Sequence, residues 1–201
     1  MLGLPATLLP NAVGAGEPPD PPKERDRLVF VGTASAEKGW PLFLEIVRRL
    51  DAPGLAPHAF LAGGIDAPCP AALAEAAALG ILVTVGQTDP AKHHARGFLA
   101  LQLTDPALAD ETFSLVAAEA IWHLVPVGGA GAAVLPEVAG DALAFNIASR
   151  DPQTIAAAIE TLWARPDRHA ALVAAAALKR LDHRVDRFAE QALAIAEAAL
   201  G

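Results

Sequence analysis

Three stretches of this sequence carry residues whose types and spacing point to chemistry. The first is Gly32-Thr33-Ala34-Ser35-Ala36-Glu37-Lys38-Gly39. It joins an apolar run to a helical pattern. A helix start offers unpaired N–H groups and a partial positive charge, and Lys38 adds a full one. That is chemistry for a phosphate or diphosphate. The spacing is not that of a Walker loop, and a solvated Glu37/Lys38 turn is the plainer alternative. The second stretch is Glu111-Thr112-Phe113-Ser114-Leu115-Val116-Ala117-Ala118-Glu119. On one helix its two carboxylates would stand ~12 Å apart along the axis and about 80° apart around it. A glycosidase pair needs ~5–9.5 Å, so this spacing suits instead the two hydroxyl-rich ends of one long ligand. Amides at the helix start would hold anionic groups between them. The plainer alternative is dipole stabilisation by Glu111 and a surface Glu119. The third stretch, Gly129-Ala130-Gly131-Ala132-Ala133-Val134, partly imitates a dinucleotide fingerprint. Val134 stands where the third small residue belongs, so a close-packed turn accounts for it more simply.

Other chemistries are disfavoured. Neighbours such as His93 and His94 point apart on a helix or strand, which predicts no metal site there. Cys69 is the one cysteine, so no intrachain disulfide forms, and a reducing, cytoplasmic setting is permitted. With 15 basic against 23 acidic residues and a formal charge of -8, the chain lacks the positive face of a nucleic-acid binder. A small basic pocket for one phosphorylated ligand remains compatible. No apolar run reaches the ~18–20 residues of a transmembrane segment. Met1 to Pro10 has no basic n-region and carries Pro5 and Pro10, so it does not read as a signal peptide.

The elements that must position these residues follow from the apolar pattern. The 201 residues are 53% hydrophobic and 19% charged, which is core-forming. Residues 1–27 read as an irregular lead-in, with four prolines between Glu17 and Pro22 and a solvated charge run from Lys23 to Arg27. From Leu28, strands and helices alternate. Strands are expected over 28–31, 58–62, 81–85, 98–103, 125–127 and 142–147. Helices are expected over 41–50, 69–79, about 112–122, 152–164, 168–181 and 184–200, with short turns at 89–94 and 135–138. Gly80 reads as a helix-ending glycine, and Asp151-Pro152 as an N-cap with a first-turn proline. This alternation predicts an α/β fold over 28–200. It is a doubly wound, mostly parallel sheet with helices on both faces and a helical C-terminal tail. Ligands then bind at the C-terminal ends of the strands.

Taken in order, the motifs resemble the C-terminal, nucleotide-sugar-binding domain of family-4 (group 1) glycosyltransferases, one Rossmann-like half of the GT-B architecture. The matching residues are Pro10-Asn11-Ala12-Val13, Val31-Gly32 with Glu37-Lys38-Gly39, and Glu111 with Glu119. Val125-Pro126-Val127, Leu135-Pro136-Glu137-Val138 and Asp151-Pro152 follow. The resemblance implies a retaining hexosyltransferase of polysaccharide biosynthesis that takes a nucleotide-diphospho-sugar as donor and needs no metal or other cofactor. Lys38 and Glu111 would be its catalytic residues. The donor would be held by Gly32, Thr33, Lys38, Gly86, Gln87, Phe113, Ser114, Leu115 and Glu119, with Glu119 accepting from the nucleotide ribose. Two departures stand out: Thr33 replaces the family's usual arginine, and the N-terminal acceptor domain has no counterpart here. The resemblance therefore implies a separate acceptor-domain chain or a homodimer, with exposed apolar surface beside the cleft. The alternative is a non-catalytic nucleotide-binding or interaction module derived from such a domain.

Overall fold

The computed structural model describes residues 11 to 200. Pro10 of the first motif and the signal-peptide reading of Met1 to Pro10 lie outside the described residues. The described chain runs β1 (Arg27–Gly32), α1 (Trp40–Arg49), β2 (Ala56–Leu61), α2 (Pro70–Ala78), β3 (Leu82–Val85), α3 (Pro90–His94) and β4 (Gly97–Gln102). It continues with α4 (Leu115–Trp122), β5 (Val127–Gly129), α5 (Leu135–Ala139), β6 (Leu143–Asn146), α6 (Pro152–Trp163), α7 (Pro166–Lys179) and α8 (Val185–Leu200). The six strands form one sheet in the order β3-β2-β1-β4-β5-β6. Every pairing is parallel.

Strand alternation builds two cores, one on each face of the sheet. Leu28 and Phe30 of β1, Leu61 of β2, and Leu99 and Leu101 of β4 point to a core shared with Phe43 and Ile46 of α1 and Ile155 and Ile159 of α6. Val29, Phe60 and Ala100 point the other way, against Ala117 and Ile121 of α4 and Leu135 and Val138 of α5. This is why β1 and β4 read as unbroken apolar runs: both of their faces are covered. Phe30 and Phe43 stack with ring centroids 5.0 Å apart, which fixes α1 over β1.

The helix ends follow local chemistry. Gly80, at φ 69°, closes α2: its N–H donates to Ala77 O, and that of Ile81 donates to Ala76 O. Asp151 caps α6 by accepting the Thr154 N–H at 2.8 Å. Two expectations need correction. The strand expected at 125–127 lies at Val127–Gly129. It accepts glycines because a Cβ on Gly128 would strike the Phe145 ring, and one on Gly129 would strike Leu135. The run Lys23 to Arg27 is not simply solvated either. Arg25 donates to Leu124 O at 2.7 Å, and Arg96 pairs with Glu24 and Asp26.

Several histidines are interior groups. His58 of β2 is buried, with Nδ1 3.1 Å from Arg27 Nη1 and Nε2 3.0 Å from Thr84 Oγ1. An arginine only donates, so Nδ1 is the acceptor and Nε2 carries the proton. Burial, reinforced by Arg27, lowers the His58 pKa to about 4. His169, buried against Phe98, is also shifted down by burial. Between its folded and ordinary values, such a histidine binds a proton only in the unfolded chain. Its contribution is therefore complete above about pH 6.5 and is lost as pH falls through that window, at up to about 1.4 kcal/mol per pH unit for each group. Urea midpoints should hold steady around neutral pH and drop steadily towards about pH 4, and His58→Gln should remove part of that slope. Midpoints that stay flat across the window would contradict neutral, buried imidazoles.

Candidate functional site

β1 and β4 are neighbours, but the helices that follow them leave for opposite faces: α1 to the first core and α4 to the second. A crevice opens between two such strands at their C-terminal ends. It is a cavity of about 220 Å³ lined by Val31, Gly32, Lys38, Gln102, Thr104, Glu111, Phe113, Ser114, Leu115 and Val116.

Each wall has a local cause. After β1 the chain turns through Thr33 and Ser35, whose hydroxyls lie 2.8 Å apart. Ser35 Oγ accepts from the Lys38 N–H, and Asp105 N–H donates to Glu37 O at 2.8 Å. Gly39 then enters α1 at φ 79°. A Cβ there would collide with the Leu103 carbonyl and side chain, so only glycine lets the Lys38 turn lie this close to the end of β4.

On the other wall α4 starts later than the sequence pattern suggests. Ser114, wholly buried, is its N-cap and accepts the Ala117 N–H at 3.2 Å. Glu111 therefore stands in the loop before the helix. Its Oε2 accepts from Gln102 Nε2 at 2.8 Å and from Thr104 Oγ1 at 2.9 Å, and lies 3.9 Å from Lys38 Nζ. The Lys38 ammonium is also 3.5 Å from Glu37. The first amides of α4 have no carbonyl partner within the helix, and Ser114, Leu115 and Val116 at its start line the same cavity as the lysine.

Gly32, Lys38, Glu111, Phe113, Ser114 and Leu115 thus share one cleft. Thr33 lines an adjoining depression, which also holds Lys38 and residues 66–69. Gly86, at φ 74°, and Gln87 follow the end of β3 and do not line the cleft. Glu119 does not line it either. It sits one turn into α4, partly buried, with its pKa raised by that burial. Its neighbours are His93 and His94 of α3. The rings of these adjacent histidines stand edge to face, with centroids 6.1 Å apart, and Glu119 from α4 supplies a common neighbour that their spacing on one element does not reveal. The turn at residues 129–134 is close-packed rather than an anion cradle. Gly131, at φ 84°, donates to Asn146 Oδ1 at 2.8 Å.

Arg150, just before the Asp151-Pro152 motif, is a contributor that the motif itself does not include. Its guanidinium donates to the carbonyls of Thr104 (3.0 Å), Ala130 (2.9 Å) and Leu103 (3.1 Å), with Asp105 at 3.6 Å. It ties the ends of β4 and β5 beneath the cleft. No short-range signal marks it, because all of its partners lie about 20 to 47 positions away.

Solved structures with the same fold include HepE from Anabaena in complex with UDP, at TM-score 0.69 and 17% identity over 85% of this chain and 49% of that one. Alpha,alpha-trehalose 6-phosphate synthase from Burkholderia multivorans matches at 0.68 and 15%, over 87% and 44%. The pneumococcal O-GlcNAc transferase GtfA, in complex with UDP and GlcNAc, matches at 0.67 and 16%, over 96% and 38%. This chain spans half or less of the length of each. The likeness shows the fold: a doubly wound, Rossmann-like half of the GT-B architecture. No family model matches the sequence, and no curated protein matches it.

Arg150→Ala would leave three carbonyls without their charged donor and should cost about 2–4 kcal/mol of stability by urea denaturation. Arg150→Lys should recover little of this, because an ammonium cannot reproduce the planar fork. A loss under about 1 kcal/mol for Arg150→Ala would show that water replaces the fork readily.

Proposed function

We propose that this chain is the donor-binding half of a family-4 glycosyltransferase, corresponding to the C-terminal domain of such enzymes. The enzyme would move a sugar with retention from a nucleotide-diphospho-sugar to an acceptor hydroxyl. The observation that carries this is the convergence of Lys38, Glu111 and the first turn of α4 on one cleft between β1 and β4, where the order of the strands reverses. The order of the sequence motifs and the UDP bound to HepE support it.

In this reading the bond between the anomeric carbon and the diphosphate oxygen breaks as a bond to the acceptor oxygen forms. Negative charge grows on the departing diphosphate. Lys38 and the amides of Ser114 and Leu115 stabilise that charge. Glu111, held by Gln102 and Thr104, accepts hydrogen bonds from donor-sugar hydroxyls. Phe113 and Gly32 shape the wall, Thr33 borders the diphosphate, and Glu119 accepts from the ribose through the partly open side of α4. Gly86 and Gln87 border the base. Polysaccharide synthesis in the cytoplasm fits the same reading. Among the described residues no helix is long and apolar enough to cross a membrane.

The acceptor would be held by a second half, on a longer chain, a separate chain or a second copy. Ile65, Leu108 and Leu115 support this, since all three are exposed on segments that follow the C-terminal ends of β2 and β4. One observation favours a second reading, nucleotide binding without turnover. Lys38, the cation of the cleft, has two carboxylates within 4 Å, Glu37 at 3.5 Å and Glu111 at 3.9 Å. With threonine at position 33, that leaves little net positive charge for a diphosphate.

Titration calorimetry with UDP, other nucleoside diphosphates and their sugars tests both readings. Weak binding is expected, and Lys38→Ala should weaken it by about 1.5–3 kcal/mol, the value of a charge-assisted contact. Sugar transfer should be small without an acceptor half, because positioning of the acceptor is a large share of the acceleration. Absence of nucleotide binding even at millimolar concentration would overturn the donor-site assignment.

A further inference from the structure

The polar groups hardest to account for in the described structure are ring nitrogens on α3. His94 has no exposed surface, and neither its Nδ1 nor its Nε2 has a hydrogen-bond partner among the described residues. A buried polar group that nothing satisfies is costly, so each calls for a partner. His93 is also buried, and its Nδ1 is unpartnered as well. Its Nε2, however, lies 2.9 Å from the Gln87 carbonyl. A carbonyl only accepts, so Nε2 carries the proton and Nδ1 keeps its lone pair. Metal-binding histidines are held in this way, with one ring N–H given to a carbonyl and the other nitrogen left to ligate.

Glu119 completes the group from α4. One carboxylate oxygen and one ring nitrogen from each histidine all lie within 4.8 Å of one another. Tetrahedral ligands bound at about 2.1 Å stand ~3.4 Å apart, so the three have at most about 1.4 Å to close. Two imidazoles and a carboxylate suit zinc-type ions and do not suit magnesium or calcium, which take oxygen shells. We propose that His93, His94 and Glu119 form a site for a divalent zinc-type ion that braces α3 against α4. Water takes the fourth position, and the partly exposed Glu119 gives the ion its route from solvent. The ion would also fix the turn after β3, because His93 is hydrogen-bonded to Gln87. Ligation through one Glu119 oxygen leaves the other to accept from a ribose. Glu119 is shared with the donor-binding reading, but the site does not depend on that reading: its three ligand atoms converge outside the Lys38 cleft, and its test uses no nucleotide.

The test uses the full chain, free of any affinity tag and stripped with chelator. Zn2+ is titrated by calorimetry and Co2+ by visible spectroscopy, with no nucleotide present. One ion per chain, a raised Tm and cobalt d–d bands without a thiolate charge-transfer band are expected. His93→Gln and Glu119→Gln should each weaken binding at least about tenfold, and Cys69→Ser, which removes the exposed thiol, should change nothing. His94→Gln alters a fully buried position and can unfold the chain. The decision therefore rests on the first two variants, with folding checked by circular dichroism. No binding by the folded wild type, binding that persists in both variants, or binding lost in Cys69→Ser would each overturn the proposal.

Discussion

The parting of α1 and α4 to opposite faces of the sheet is the constraint on which the rest of the molecule depends. β1 and β4 lie side by side and are buried on both faces, so their central residues must be apolar and cannot carry chemistry. Because their following helices diverge, no connection crosses the sheet edge between them. The polar residues that belong to the site are displaced to the strand ends and the loops beyond them: Lys38 in the loop after β1, Gln102 at the end of β4, and Thr104 and Glu111 in the loop after it. Gly39 and Arg150 serve the same constraint. One lets the Lys38 turn approach the Leu103 carbonyl, and the other fixes that carbonyl and two more. The crevice exists because topology opens it, and it keeps its shape because these contacts hold its floor.

Much of this was legible in the sequence because it is local. Apolar runs bounded by glycine gave the strands, with boundaries shifted by one or two residues. Asp151 was recognisable as a cap because a side-chain oxygen next to a first-turn proline has one obvious partner, the amide three positions on. Gly80 was recognisable because a helix that ends in an alanine run needs a residue free to take positive φ. The start of α4 was misplaced because Thr112 and Phe113 fit a helical pattern as well as Leu115 does. What decides the matter is the Ser114 hydroxyl, whose bond to Ala117 begins the helix three residues later.

The remainder was hidden because its partners are distant in the chain. Arg150 lies in a turn that looks solvated, and the carbonyls it binds lie just beyond the ends of β4 and β5. Arg25 looked like one charge in a surface run, yet it reaches the Leu124 carbonyl, 99 positions away. The glycines at 128 and 129 looked like loop residues. They are strand residues because Phe145 and Leu135 fill the space that their side chains would need. In each case the local pattern fits more than one outcome, and a tertiary contact decides between them.

The two glutamates of the E-x7-E stretch show how spacing alone misleads. If both were helical, they would stand ~12 Å apart along the axis and about 80° apart around it, towards the two ends of a single ligand. In the structure Ser114 separates their environments. Glu111 is outside the helix, held by two neutral donors and 3.9 Å from the Lys38 ammonium. Glu119 is inside the helix and beside imidazoles, where burial raises its pKa. The same residue type, eight positions apart, is thus placed in opposite electrostatic settings. One accepts hydrogen bonds readily in the open cleft. The other is desolvated, and gains by sharing its charge with a hydroxyl or a cation brought to it. A helix start between two carboxylates is enough to divide their chemistry.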